Sequence, residues 1–381
     1  MKKKKLAIIG GGVIACNLAE NARKNGIETI GFSLLSGALN KNVFDKFYEI
    51  NVLDLEHLLA LCLAEKIDGV LPTTELTIVP ANYVAEQMGI NGNSLSVMEN
   101  ITHKNWVREK VCKAGLIRNP EYIHFSSRKN FSADMIKKYP VIVKPAGEGG
   151  KRGICVVENA SQLEDAVSKA FDLDRAGVGV LIEEFLIGGR EFSVEALSYY
   201  GEHQIIQVTD NISSGPPHCV ELGHSQPADI SNEKRSEIIS AVKELLTLVG
   251  IENSATHTEI KVFNDTVYLI ELNARFGGDF IAYPLTELST GYDYLGQTIQ
   301  VSFDERPAYR GDQPGIHYAG MRFVVQQTPY LQEVFDNCDA EPWLYKKQKL
   351  ADGTKEIRNN DTLHTNYFIY CMDQKPDFPK K

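Results

Sequence analysis

VIVKPAGEGGKRG, residues 141–153, is an apolar run that ends in a lysine and opens into glycines. A strand of this kind delivers one fixed positive charge, Lys144, beside a loop whose backbone amides can cover a phosphate. YLIELNARFGG, residues 268–278, reads as a second strand. Strand side chains repeat every second residue, so Glu271 and Asn273 project to one face. Two hard oxygen ligands on one face suit a magnesium ion whose remaining shell is phosphate and water. Together the two segments describe a site for ATP with magnesium, with manganese as the alternative ion.

A chain of 381 residues exceeds one ordinary core and suggests two or three domains, with 43% hydrophobic residues to build them. The net charge of −10 leaves no basic excess to displace phosphate counterions, which argues against a general nucleic-acid binder. The run Lys2 to Lys5 abuts an apolar strand and reads as a solvated start. No apolar run approaches the ~20 residues of a membrane span, and the lysines lead into a strand and glycines rather than a secretory segment. A cytoplasmic protein with no membrane partner is expected. The seven cysteines contain no CxxC pair, and most lie in apolar stretches, as Cys62 and Cys155 do, so buried free thiols are expected.

The first hundred residues alternate strand and helix patterns: strands at Leu6 to Ile9, Glu28 to Phe32 and Gly69 to Leu71, helices at Val13 to Lys24, after Asp54 through Glu65, and at Ile78 to Met88. This predicts an open parallel α/β sheet. Gly10-Gly11-Gly12 resembles a dinucleotide fingerprint, but the third glycine and the acid ending the second strand are missing. The glycines instead make a tight turn or admit a substrate carboxylate to the helix N-terminus.

A helix is expected from Thr102 to Ala114, closed by Gly115, with Lys104 and Arg108 on one face. Spacing alone favours a solvated basic face. Beyond Pro120 comes a smaller α/β unit: a helix around Ser132 to Lys138, the Val141 strand, the glycine loop, the Ile154 strand, and a helix from Ser161 with Glu164 completing a capping box. Strands at Val180 to Phe185 and Glu191 to Leu197 join through Gly188-Gly189, and a long helix spans Glu233 to Val249. The Ala255 to Val262 strand pairs with Thr266 to Leu272 across Asn264-Asp265.

In this order the features resemble the ATP-grasp superfamily of carboxylate-amine ligases, over roughly residues 5 to 305. The likeness is carried by VIVKPAGEGGKRGI, LIEEFLIGGREFSVEAL, THTEIKVF and YLIELNARFGGDF. It implies an N-terminal parallel α/β domain over 1–101, an ATP-grasp domain over 102–305 with a lid subdomain at about 121–188 and a larger α+β portion, and a C-terminal lobe over 306–381.

The resemblance also implies roles. Lys144 would hold the α and β phosphates and Lys104 would be a second phosphate contact, which reverses the reading from spacing. Glu183, Glu184, Phe185 and Leu186 would line the adenine, main-chain groups at Glu184 and Leu186 would read the base edge, and Glu191 would bond the ribose. The loop from Gly147 to Gly153, with Gly149 and Gly150 at its centre, would close over the γ-phosphate. Glu259, Glu271 and Asn273 would carry magnesium, and Arg275 would stabilise the transferring phosphoryl group. With Lys144 it completes the catalytic candidates.

The bland alternatives are strand-end charges for Glu183 and Glu184 and a surface ion pair for Arg275. His224, flanked by a glycine and a proline, is expected on a loop, either as a substrate or phosphate contact or as a structural histidine. At the end of a strand, Glu75 could face an amine. Arg275, Gly277 and Gly278 are further candidates for shaping the substrate pocket. Arg310 and Arg322 are either clamps for a carboxylate or surface charges. The expected activity couples a carboxylate, activated as an acyl phosphate, to an amine, with small amino-acid-like substrates and release of ADP and phosphate. An ATP-dependent carboxylase of the purine-pathway or biotin-carboxylase type, a nucleotide-binding protein without turnover, and a nicotinamide-dependent oxidoreductase are the alternatives. A homodimer is compatible with the sequence, and the strand Asn366 to Met372 is expected to be structural.

Overall fold

The computed structural model describes residues 3–150, 152–216, 219–350, 355–357 and 365–379. Lys2 of the lysine run and Lys151 of the glycine loop lie outside these described residues.

The N-terminal strands β1 (Lys5–Ile9), β2 (Glu28–Ser33), β3 (Lys46–Glu49) and β4 (Gly69–Pro72) form a parallel sheet in the order β3-β2-β1-β4. Helices α1 (Val13–Lys24) and α2 (Leu55–Glu65) connect strands of this sheet and α3 (Ile78–Met88) follows β4, all three where expected, whereas β3 was not foreseen. Asp54 caps α2 by accepting from the His57 N–H. The glycine turn after β1 has a packing reason: a β-carbon at Gly10 would stand 2.1 Å from Thr73 Oγ1.

The expected helix over 102–114 is shorter, α5 (Lys104–Val111), and it follows an unforeseen α4 (Leu95–Ile101). His103, in extended conformation, separates the two. Next comes an antiparallel sheet of β5 (Tyr122–Phe125), β6 (Val141–Pro145), β7 (Cys155–Val157) and β8 (Val180–Glu184), ordered β5-β8-β6-β7. The helix expected around 132–138 is only a single 3-10 turn at Ala133–Met135, because so short a segment before Pro140 cannot offset helix nucleation. Helix α6 (Ala160–Leu173) is capped by Asn159, whose side chain accepts from the Ser161 N–H, rather than by a Ser161–Glu164 box. Cys155, expected to be buried, is exposed because β7 is an edge strand with one face in solvent. Cys112 is also exposed, and only Cys62 and Cys338 are buried.

An eight-stranded sheet holds the remaining strands: β9 (Arg190–Tyr199), β10 (Glu202–Ser213), β11 (Glu221–Gln226), β12 (Ser254–Phe263), β13 (Thr266–Asn273), β14 (Tyr318–Val324), β15 (Leu344–Gln348) and β16 (Asn366–Met372). Their order is β13-β12-β9-β10-β11-β14-β16-β15, so the strands beyond residue 306 extend the same sheet that carries the motif strands. Helix α7 (Asn232–Val249) covers one face and buries Ile238, Val242, Leu245 and Leu246 against Val194, Ile205 and Ile260. At ~1.5–3 kcal/mol per fully buried large aliphatic side chain, this layer fixes the sheet on which the polar opposite face is displayed. No helix among the described residues is long and apolar enough to cross a membrane.

Candidate functional site

The hairpin of β12 and β13 turns through Asn264 and Asp265, both at positive φ, as the Asn-Asp sequence requires. That turn sets the register as far as Ile260 opposite Leu269, and a bulge between Ile260 and Glu259 then shifts it by one, so that Glu259 lies opposite Glu271 and His257 opposite Asn273. Residues directly opposite across an antiparallel pair share a face, so two carboxylates and one amide converge. His257 and Glu259 also pair with Glu195 and Ser193 of β9, which adds Glu195 to the same face. His257 Nδ1 lies 2.5 Å from Glu195 Oε1, and its Nε2 lies 3.4 Å from Glu259 Oε1. Burial opposes the imidazolium, but Glu195 and Glu259 overcome this and raise the His257 pKa to about 9.

Lys144, on β6, is buried and forms an ion pair of 2.6 Å with Glu183 Oε2. Arg108 completes the cluster: its Nε donates to Glu183 Oε1 at 2.8 Å and its Nη2 to the Ile270 carbonyl at 2.7 Å. Burial alone would raise the Glu183 carboxyl, yet Arg108 and Lys144 hold it at about 2. Lys144 moves the other way for a cation: burial lowers its pKa, and Arg108 adds to this, more than Glu183 restores. The firm direction is that of Glu183, a carboxylate between two cations. One anion shared by two cations leaves net positive charge at Lys144, which suits a phosphate group.

Lys104, at the start of α5, is also buried, so neither it nor Arg108 lies on a solvated face. Its Nζ reaches Glu271 Oε1 at 3.0 Å, Glu75 Oε1 at 3.9 Å and the Glu148 carbonyl at 2.6 Å. Burial favours neutral lysine, but Glu271 and Glu75 outweigh it and raise its pKa. Glu75 heads a 3-10 turn just after β4, and burial followed by Glu271 raises its carboxyl pKa. Gly149 packs on that carboxylate so closely that a β-carbon would sit 1.6 Å from Glu75 Oε2. Next in the loop, Gly150 has φ +66, a conformation other residues adopt only under strain. The N-terminal sheet, the glycine loop and the acid strand thus meet at Lys104.

Glu184, Phe185 and Leu186 leave β8 along the wall of a cavity of about 540 Å³, with Ile182, Ile123 and Phe263 as apolar lining. That is the size range of sites for drug-sized ligands. The Glu184 N–H donates to the Glu121 carbonyl and the Phe185 N–H to the Pro140 carbonyl. A neighbouring cleft on the other side of Phe185 and Leu186 holds Glu191, Asn211 and Lys261. Glu191 is paired with Lys261 at 2.9 Å.

His224 is not on a loop. It sits buried on β11, between β10 and β14, with Nδ1 3.0 Å from Asn211 Oδ1. Gly223 is there because two strands approach closely: a β-carbon would stand 2.5 Å from the Met321 carbonyl oxygen. Arg275 lies two residues beyond Asn273, and its charge acts on both Glu75 and His257. Gly277 lies against Glu195, whereas Gly278 has open space around it. The structure does not bring Arg310 to this cluster; its guanidinium is bonded to the carbonyls of Ile206 and Gln313. Arg322 ties down β11 through the His224 carbonyl and Ser225 Oγ.

The donor set fits magnesium. Among the described residues no three or more His, Cys, Asp or Glu side chains group as a metal cage. Magnesium rarely needs one, because one or two carboxylates plus substrate phosphates suffice. Glu259 and Glu271 would supply the carboxylates, and buried Asn273 carries an amide nitrogen, Nδ2, with no hydrogen-bond partner among the described residues. Amide orientation is interchangeable, so this side chain can present its oxygen to an ion.

From spacing Arg108 reads only as part of a solvated basic face, and Glu195, His257 and Lys261 escaped the sequence reading. His257 and Glu195 carried a signal: His257 stands two residues before Glu259 and so on its face. Nothing in the sequence pairs Arg108 with Glu183 across 75 residues.

Comparison with known proteins agrees with this geometry. Residues 137–283 match the model of the ATP-grasp domain, so this part of the chain carries an ATP-grasp domain. It is 27% identical over 233 residues to alanine–anticapsin ligase of Bacillus subtilis, covering 55% of this chain and 49% of that protein. The chain therefore spans about half the length of the curated relatives it matches first. Among solved structures, an L-amino acid ligase from Bacillus licheniformis superposes with a TM-score of 0.81 at 21% identity, covering 98% of this chain and 94% of that one. The biotin carboxylase domain of the Hydrogenobacter thermophilus 2-oxoglutarate carboxylase, solved with MgADP and bicarbonate, gives a TM-score of 0.75 at 20% identity, covering 96% and 86%. At these identities the structural likeness establishes the ATP-grasp fold.

Proposed function

We propose that this protein is an ATP- and magnesium-dependent ligase that activates a carboxylate as an acyl phosphate and couples it to an amine, with amino-acid-like substrates. The observation that carries this reading is the convergence of Lys144, Lys104, Glu259, Glu271, Asn273 and Arg275 around one sheet face and one glycine loop. The match to alanine–anticapsin ligase and the likeness to an L-amino acid ligase support the amine-coupling branch.

A carboxylate is a poor electrophile because its leaving group would be oxide. In the proposed first step a substrate carboxylate oxygen attacks the γ-phosphorus of ATP, the bond to the β-phosphate oxygen breaks, and ADP leaves. In the second the amine attacks the acyl carbon and phosphate departs, while the amine gives up a proton. Lys144 and Lys104 would hold the phosphates, and Arg275 would balance negative charge on the transferring group. Magnesium, held by Glu259, Glu271 and Asn273, would neutralise charge on the phosphates. Glu184, Phe185 and Leu186 would line the adenine and Glu191 the ribose. The loop around Gly149 and Gly150 would keep water from the acyl phosphate. Glu75, beside that loop, would face the amine. The three-part division at residues 101 and 305 goes with this reading, the first part supplying Glu75 and the second the nucleotide site.

The likeness to a carboxylase domain solved with bicarbonate supports one second reading, ATP-dependent carboxylation. A screen of amino-acid pairs for ADP and phosphate release, with product masses and with bicarbonate supplied or withheld, separates the two. Condensation products in bicarbonate-free buffer support the ligase.

A further inference from the structure

Glu195 and His257 are 0% and 3% exposed and have no part in the chemistry above. Burying a carboxylate and an imidazole is costly unless each polar atom is bonded, and apolar residues would fill the same space at lower cost. Besides a contact of Glu195 with the buried Tyr294 hydroxyl, their bonds lead to the site. Glu195 Oε1 takes His257 Nδ1 at 2.5 Å, and His257 Nε2 faces Glu259 Oε1 at 3.4 Å. Glu195 Oε2 accepts the Gly277 N–H at 3.1 Å. The fit is too close for any side chain at Gly277, whose β-carbon would stand 2.4 Å from Glu195 Oε1 and 2.7 Å from His257 Nδ1. One buried pair therefore touches both the strand bearing Glu259 and the turn that follows Arg275.

We infer that Glu195 and His257 form a brace that positions the Glu259 carboxylate and the Arg275–Gly278 turn relative to one another. This rests on the reading of Glu259 as a magnesium ligand. The Glu259 side chain is 30% exposed, and a contact with a buried, fixed ring narrows the rotamers it adopts. His257 restricts it from beneath, and Glu195 fixes His257 while anchoring the backbone two residues beyond Arg275. Both are positioning residues, since neither reaches the phosphates or substrates. Outer partners of this kind typically contribute 10–100-fold to metal affinity.

The test uses the full chain with ADP, so that no turnover intervenes, and Mn2+ as the probe, read by electron paramagnetic resonance. His257→Leu and Glu195→Gln should each weaken Mn2+ binding in the ADP complex by about tenfold or more. ADP affinity without metal should stay near wild type. His257→Gln keeps a donor toward Glu259 and should recover most of the loss. Glu259→Gln tests the underlying reading: unchanged Mn2+ affinity in that variant removes Glu259 as a ligand and the brace with it. If Glu259→Gln weakens Mn2+ while His257→Leu and Glu195→Gln bind as wild type, the brace alone is overturned. Loss of metal-free ADP binding in proportion to the loss of Mn2+ would make the pair a packing element and also overturn it. Should His257→Leu not fold, Glu195→Gln and His257→Gln decide by the same two affinities.

Discussion

Lys104 Nζ stands 3.0 Å from Glu271 Oε1, so the lysine proposed for phosphate and the acid proposed for magnesium hold each other. A cation joining Glu271 must share it with an ammonium that is buried and cannot simply swing into water. A phosphate arriving with the metal removes the conflict, because Lys104 then has an anion of its own. On the proposed roles, metal and nucleotide binding would be coupled through this one contact.

The coupling can be broken from the lysine side. Lys104→Met should weaken ATP binding, yet Mn2+ added to the protein without nucleotide should bind more tightly than to wild type, since its competitor for Glu271 is gone. Parallel titrations with ATP and with Mn2+ alone check the opposite signs. A weaker Mn2+ affinity in the variant would show that Lys104 does not compete at Glu271.

From the acid side, Glu271→Gln keeps the volume and one oxygen but removes the charge. The magnesium concentration for half-maximal rate should rise about tenfold or more while the melting temperature changes little. Superimposable magnesium titrations would move the metal role to other residues.

Lys144→Ala removes a charge aimed at the phosphates and should lower turnover by about two orders of magnitude. Lys144→Arg should not restore it, because a planar fork is not equivalent to a compact ammonium beside Glu183, which Arg108 already engages. Steady-state rates of the two variants decide this.

Glu183 makes a pH prediction. Its folded-state pKa, about 2, lies below the ordinary carboxyl value, so its contribution is complete above about pH 4.5 and is lost as pH falls toward 2. A shift of this size corresponds to stability on the order of 3 kcal/mol. Glu183→Gln should be less stable than wild type at pH 7, and the gap should close in acid. Urea midpoints at pH 7 and near pH 3 measure it, and a gap independent of pH would deny Glu183 its charged role.

Three strands and three helices through Met88, though not β3 or α4, and the β12–β13 hairpin were legible because hydrophobic period and turn chemistry agree there: Asn264-Asp265 sits where the alternating pattern reverses. The motif acids were legible for the same reason, since period two places Glu271 and Asn273 on one face. What was hidden depends on contacts remote in sequence. Gly223 and Pro227 made His224 look like loop, whereas Gly223 serves a close approach to Met321 nearly a hundred residues on. Beyond residue 306 the strand that ends in Val324 is an interior member of the large sheet, buried on both sides, so it lacks the alternation that marks a half-exposed strand. Lys104 and Arg108 looked like a solvated face because their partners Glu271 and Glu183 lie on strands that only the tertiary fold brings over α5.

Arg275 bears on reaction type. It follows Asn273 by two residues, in the bend just beyond the end of β13, and its charge acts on Glu75 and His257 beside the acids. If its role is to balance charge on the transferring group, Arg275→Ala should leave ATP binding nearly unchanged and lower the rate of the chemical step, the signature of an interaction made chiefly in the transition state. Wild-type protein should release ADP rather than AMP, and one oxygen of an 18O-labelled carboxylate substrate should appear in the released phosphate, because the acyl phosphate breaks at the acyl carbon when the amine attacks. An adenylating route would give AMP and pyrophosphate with the label in AMP. Strict dependence on bicarbonate without an amine acceptor would indicate carboxylation instead. Rapid-quench measurement of the first turnover, with mass analysis of phosphate and nucleotide, reads these outcomes in one experiment. AMP as the stoichiometric product would overturn amine ligation through an acyl phosphate while leaving the magnesium nucleotide site intact.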